Sequence, residues 1–252
     1  MSRTRSSLRL DLRPTPPAPG GLRDVALRLL DGFDVEVARR SVRLPLGAQR
    51  VVAFVALHER PLQRLYVAGS LWLDSPEARA AANLRSALWR IQKLAPSLLE
   101  IDVQTLRLGS EVRVDLRDAE RLARAELNGG DTGFGALGAD LLPDWYDDWV
   151  LIERERFRQL RLRALEAACR RLTDEERLDE ALEAGLLAVA AEPLRESAHR
   201  TLVHLHLSAG NVVEARRQYQ LCRHLLRTQL GVEPSERMRE LVRGLDVVGT
   251  IR

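Results

Sequence analysis

Between Val25 and Leu44 apolar and polar residues alternate in short runs, VALRLL, FDVEVA and SVRLP, broken at Asp31-Gly32 and Arg39-Arg40. Period-two alternation between turn signals predicts a small antiparallel sheet. The period then lengthens. Apolar residues recur at helical spacing over Gly47 to His58, over Leu62 to Leu73 behind Pro61, and over Pro76 to Ala95 ahead of Pro96, so three helices are expected. Strand pattern returns in LLEIDV, LRL and VRVDL, with turns at Gln104-Thr105 and Gly109-Ser110. This predicts a hairpin over Leu99 to Asp115 that closes a unit of strands and three helices.

Beyond Asp118 helical spacing dominates. Helices are expected near Arg117 to Leu127, Asp147 to Leu172, Asp174 to Ala191, Leu194 to Ala209, Val212 to Leu230 and Ser235 to Leu245. The glycine-rich stretch Asn128 to Gly138 reads as a flexible connector. Glu180-Ala181 and Glu214-Ala215 lie 34 residues apart, and the same offset pairs Gly185 with Tyr219, Ala188 with Cys222 and Cys169 with Val203. That interval is the tetratricopeptide period, in which antiparallel helix pairs approach at small residues and stack into a shared core. Tyr219 departs from the pattern, standing where a small residue is typical.

Composition narrows the class. A hydrophobic content of 45% over 252 residues supplies the cores of two ordinary domains and excludes general disorder. No apolar run reaches the about 18 residues a membrane helix needs, so a soluble chain with no membrane partner is expected. Cys169 and Cys222 are the only cysteines, too few for a disulfide framework or a four-ligand zinc site, and with no signal peptide a cytoplasmic location is expected. Pro14, Pro16, Pro17 and Pro19 mark the opening residues as a tail without fold. The formal charge of +3 conceals an asymmetry: Met1 to Arg117 holds 19 cationic against 12 acidic side chains, and the remainder 20 against 24. A basic half joined to an acidic half suits a nucleic-acid reader attached to a partner-binding module.

Candidate chemistry concentrates in SPEARAAANLRSALWRIQKLA, Ser75 to Ala95. Ser75 reads as the N-cap, Pro76 as the first helical residue and Glu77 as a complement to the helix dipole. On a helical wheel Ala81, Leu84, Leu88, Ile91 and Ala95 form a stripe that must face a core, and Arg79, Asn83, Ser86, Arg90 and Lys93 form the opposite one. Arg pairs with guanine, Asn with adenine, and Ser reaches a base or phosphate, so the second stripe is suited to a major groove. As third helix of a compact triple, ahead of a hairpin carrying Arg107 and Arg113, it matches a recognition helix with a neighbouring wing.

The stretches VAGSLWLDSPEARAAANLRSALWRIQKL and LLEIDVQTLRLGSEVRVDL together resemble the winged helix of the Streptomyces antibiotic regulatory protein family, which is similar to that of the OmpR group of response regulators. LLPDWYDDWVLIERERFRQLRLRALEAACRRL, AAEPLRESAHRTLVHLHLSAGNVVEARRQYQ and LGVEPSERMREL resemble the bacterial transcriptional activation domain that follows it in that family. The resemblance implies a mainly α chain: a tail over 1–21, an OmpR-like winged helix-turn-helix over 22–117, and an all-α tetratricopeptide-like domain over 118–252. It further implies a non-enzymatic activator that binds promoter repeats in double-stranded DNA, recruits RNA polymerase holoenzyme, associates with further copies of itself on DNA and works at the nucleoid. Carried onto this sequence, recognition falls on Arg79, Asn83, Arg85, Ser86 and Arg90, with Arg85, off the stripe's centre, directed to backbone phosphate. Two departures stand out: the link Leu73 to Ser75 is short, and the wing has no aromatic tip. A rival reading is a protein-interaction scaffold whose winged helix is structural.

Other motifs fail on context. Gly133, Gly135 and Gly138 spell GxGxxG, but no apolar strand precedes them and Pro143 blocks an early helix, so no cofactor loop is expected. His199, His204 and His206 share a helix without an acidic or cysteine co-ligand, so no metal is expected. Trp145 and Trp149 are expected to fill the seam where the first activation-domain helix packs, and Trp72 and Trp89 to fill the core of the winged helix. No nucleophile, base and orienter stand in a recognisable context, which leaves catalysis without a candidate.

Overall fold

Strands β1 (Val25–Arg28), β2 (Asp34–Val37) and β3 (Arg40–Ser41) form the expected antiparallel meander, with Val25 opposite Val37 and Glu36 opposite Ser41. The computed structural model describes residues 25–243; the expected tail over 1–21 and the end of the last expected helix lie outside the described residues. After the meander come α1 (Leu46–Ala56), a two-residue strand β4 (Leu62–Gln63), α2 (Arg64–Leu71) and α3 (Glu77–Leu94). The second helix was expected to begin at Leu62. Instead Leu62 and Gln63 pair with Leu106 and Thr105, building a three-stranded sheet with β5 (Leu99–Ile101) and β6 (Thr105–Leu108).

The hairpin closes sooner than its sequence pattern predicts. Only β5 and β6 form it, turning through Asp102 to Gln104, whereas β7 (Val112–Val114) leaves to pair in parallel with β1 in the first sheet. Arg113 therefore lies opposite Ala26 in that sheet and not on the wing. Alternation alone could not separate these outcomes, because a strand shows the same period whichever neighbour it pairs with.

Helix α4 (Asp115–Leu127) follows at once, and the expected boundary at Arg117 and Asp118 falls within its first turn. The Asp115 carboxylate accepts backbone N–H bonds from Leu29 at 2.9 Å and Leu30 at 3.1 Å, tying α4 to the end of β1. Burial leaves the Asp115 pKa raised, the Leu29 and Leu30 N–H donors offsetting it only in part. Helices α5 (Asp148–Asp174), α6 (Leu178–Ala191), α7 (Glu196–Ser208), α8 (Val212–Leu230) and α9 (Glu236–Val242) complete the described residues. Gly231, at φ 69°, ends α8 in the left-handed region while Val232 N–H returns to the Leu226 carbonyl.

The 34-residue period marks real helix pairs. A Cβ placed on Gly185 of α6 would lie 2.4 Å from Leu202 Cδ2 on α7 and 3.2 Å from Cys169 Sγ on α5, so only glycine permits this approach. At the equivalent position of the next pair, Tyr219 lies half-buried against a second cluster of Val203, Ala215, Cys222, Leu226, Met238 and Val242. The larger side chain is accommodated where the stack ends, between α7 and the short α9.

The glycine-rich connector is anchored, contrary to its composition. Its end forms a 3-10 turn, Gly135–Gly138, and the buried Arg161 guanidinium donates to the carbonyls of Gly138 at 3.0 Å and Ala139 at 2.8 Å and to the Asp140 carboxylate at 2.8 Å. Glu126, also buried, accepts from Thr132 N–H and from Arg171. Glycine signals backbone freedom in the unfolded chain, but here charged side chains on α4 and α5 take up the exposed peptide groups.

One core runs through both halves. Trp145 stacks on Phe33 at 5.8 Å, Trp149 meets Phe54 edge-on at 5.2 Å, and Arg50 of α1 donates to Asp147 at the start of α5 at 2.5 Å. Trp145 and Trp149 thus fill the seam as expected, and Trp72 packs partly buried against the same core. Leu30, just past β1, forms an isolated antiparallel bridge with Leu141, just past the connector. The winged helix and the helical repeats are consequently fixed to one another.

Candidate nucleic-acid interface

Helix α3 owes its position to one face. Ala80, Leu84, Ala87, Leu88 and Ile91 are buried against α1 and α2; Ala81, expected in that stripe, is only half-buried, because the contact is centred nearer Ala80 and Ala87. Ser75 does not cap the helix. Pro76 occupies the N-cap position with no side-chain bond, and Ser75 N–H instead donates to the Trp72 carbonyl at 3.0 Å. Arg79 and Ala80 N–H donate to the Pro76 carbonyl, so Ser75 stands one residue outside the cap.

On the outward face Arg79, Arg85, Ser86, Arg90 and Lys93 are exposed, and Asn83 is half-buried. Among the described residues Arg79, Arg85 and Arg90 have no ion-pair partner. On α5, by comparison, Arg156, Arg158, Arg161 and Arg171 each meet a carboxylate, while Arg154 and Arg163 donate to backbone carbonyls. Unneutralised cations on one helix produce a positive field that protein carboxylates do not cancel.

Trp89 contradicts its expected place in the core. It is 61% exposed, turned aside from the buried stripe, and Lys93 Nζ lies 5.1 Å from its ring centroid. The misreading has a simple source: Trp89 directly follows the buried Leu88, and hydrophobicity alone put it inside, although its angle on the helix places it beside Arg85 and Arg90.

The wing contributes less charge than its sequence promised. Arg107 stands directly across the hairpin from Glu100 and donates to it through Nε at 2.6 Å. That bond, with a second from Ser110 N–H, holds the Glu100 carboxyl below its ordinary range. Arg113 is exposed, but on the first sheet. The hairpin tip instead presents Val103, 83% exposed, beside a shallow groove that Arg64 and Leu65 of α2 share with Arg85 of α3. Arg64 and Val103 escaped sequence reasoning because neither belongs to a periodic basic stripe.

Elsewhere the candidate chemistry is structural. His199 is fully buried, its Nε2 set 2.8 Å from the Pro193 carbonyl and its Nδ1 2.7 Å from Gln218 Nε2. Among the described residues no group of His, Cys, Asp and Glu is arranged to hold a metal ion, and no helix is long and apolar enough to cross a membrane.

Comparison with known proteins bears on this arrangement. The family model described as the bacterial transcriptional activator domain matches residues 101–245. The chain is 30% identical over 187 residues to the regulatory protein AfsR of Streptomyces coelicolor, an alignment covering 68% of this chain and 19% of AfsR, so it spans about a fifth of that curated relative. A structure of Mycobacterium tuberculosis EmbR, solved in complex with a low-affinity phosphopeptide, superposes over 91% of this chain and 67% of its own, with a TM-score of 0.69 and 17% identity. That likeness is one of fold: a winged helix followed by an all-α domain.

Proposed function

Because the chain belongs to the bacterial transcriptional activator domain family and is a regulator of the Streptomyces antibiotic regulatory protein type, we propose that it is a sequence-specific DNA-binding activator. Residues 22–117 read the DNA, and residues 118–252 hold the partners. The observation that carries this is the set of unpaired cations on α3, outward-facing on a helix whose opposite side is buried.

Helix α3 lies in the major groove. Arg79 and Arg90 reach guanine edges or phosphate, Asn83 and Ser86 reach bases at the centre, and Arg85 and Lys93 meet phosphates at the sides. Arg107, shared with Glu100, and Arg113, placed on the first sheet, supply a weaker field, so the wing contributes through Val103 and the backbone around it. A single winged helix reads few base pairs, and side-by-side copies on repeated sites raise the specificity.

The repeat half, fixed to the DNA reader by the Phe54–Trp149 and Arg50–Asp147 contacts, presents its surface to RNA polymerase holoenzyme at a set orientation. The protein acts by binding, with no cofactor, at the nucleoid in the cytoplasm.

Footprinting of the purified full chain across genomic fragments tests this reading. Protection of paired direct repeats upstream of promoters, with activated transcription when polymerase is added, is expected. Binding confined to protein partners, with no protected DNA, would instead support a scaffold.

A further inference from the structure

The helical half carries a groove for which DNA binding has no use. It crosses α5, α7 and α9, encloses about 690 Å³, and is lined by Arg170, Asp174, Arg200, His204, Arg237 and Glu240 among others. Three guanidinium groups gather here within the half whose overall charge is acidic.

Nearby acids neutralise them only in part: Asp174 and Glu240 share the lining, and the neighbouring Glu166 and Glu196 are divided among several donors. Glu166 accepts from Arg195 Nε and from Ser197 Oγ, both at 2.6 Å, and reaches Arg170 only at 4.0 Å. Glu196 meets Arg200 at 3.1 Å but also accepts from Ser235 N–H at 2.6 Å and from its hydroxyl, at the start of α9. Arg237 has no ion-pair partner among the described residues. Three arginines thus face two carboxylates along the lining, with Arg237 unpaired among the described residues and Arg170 held only at the limit of an ion pair.

The lining also selects the kind of anion. Asp174 and Glu240 stand in the same groove, and a uniformly charged polyanion such as duplex DNA meets them with repulsion. A peptide places its carboxylates on the arginines and turns N–H groups toward these two acids. Packed helices lie about 8–10 Å apart, so three of them span about 20 Å, the length of about six extended residues.

We propose that this groove docks an extended, acid-rich segment of a partner protein, its carboxylates held by Arg170, Arg200 and Arg237. The inference stands independently of the DNA-binding reading.

Fluorescence anisotropy of a fluorescein-labelled hexapeptide of alternating glutamate and glycine with the full chain at low salt tests it. Saturable binding is expected, weakened by at least about tenfold in the Arg170→Glu/Arg237→Glu variant and unchanged in Arg79→Ala/Arg90→Ala. Arg170 and Arg237 are exposed, so the variant keeps its fold by circular dichroism. If charge reversal does unfold it, Arg237→Gln alone gives the same direction, at least about threefold weaker. Absence of saturation, or equal affinity in all variants, overturns the proposal. So does displacement of the peptide by a short DNA duplex from the Arg79→Ala/Arg90→Ala protein, which assigns the groove to phosphate.

Discussion

Lys93 Nζ stands over the face of Trp89, 5.1 Å from the ring centroid and one turn further along α3. The ammonium steadies the indole by about 0.5–1 kcal/mol at this exposed site. An exposed tryptophan next to unpaired arginines offers a flat apolar surface to a deoxyribose or a thymine methyl. Trp89→Ala is therefore expected to weaken DNA binding by about threefold to tenfold and to change stability by less than about 0.5 kcal/mol, because the ring is outside the core. Anisotropy titration and thermal unfolding on the same samples separate the two effects.

Gly185 supplies a test of the repeat architecture. Gly185→Ala drives a methyl group into Leu202 and toward Cys169, and the overpacked junction of α5, α6 and α7 is expected to lose about 1–3 kcal/mol. Denaturant unfolding monitored by circular dichroism reads this directly. By contrast Gly133→Ala, in the connector with φ 79° and open space around it, is expected to cost less and only through backbone strain.

Arg161→Leu leaves the Gly138 and Ala139 carbonyls and the Asp140 carboxylate without their shared donor. A loss of about 3 kcal/mol is expected, together with rapid cleavage between Asn128 and Asp140 in limited proteolysis. A connector cut equally fast in the unmodified protein would contradict its anchoring by Arg161.

His199 sets an acid limit on the helical half. Burial holds its pKa below 6.5, and the Pro193 carbonyl and the Glu196 charge only partly oppose this. The unfolded chain protonates His199 near pH 6.5 while the folded one does not, so stability is full above that pH and falls as pH drops through it. His199→Gln removes this contribution. Its unfolding free energy, lower at neutral pH, is expected to vary less between about pH 7 and pH 5 than that of the unmodified chain.

Much of this architecture is legible in the sequence. The meander, the three helices and the hairpin follow from changes of period, and Gly185 with Cys169 marks the helix pairs because close packing demands small residues. Legibility ended where partners, not periods, decide. Nothing local distinguishes a β7 strand that joins the hairpin from one that joins β1, so Arg113 was expected on the wing. The Arg107–Glu100 pair depends on hairpin register, and the anchored connector depends on Arg161, more than 20 residues away in the chain. Trp89 was legible by angle and misread by hydrophobicity. Ser75 met the compositional rule for a cap, but the helix begins one residue later, with Pro76 at the N-cap.

The salt dependence of DNA binding tests the central claim most directly, compared between the unmodified full chain and Arg79→Ala/Arg90→Ala on one footprinted site. With α3 in the groove, affinity of the unmodified chain falls steeply with salt, and the double variant binds at least about tenfold more weakly with a slope shallower by about one to two ions. Equal affinities and equal slopes for the two proteins would contradict it.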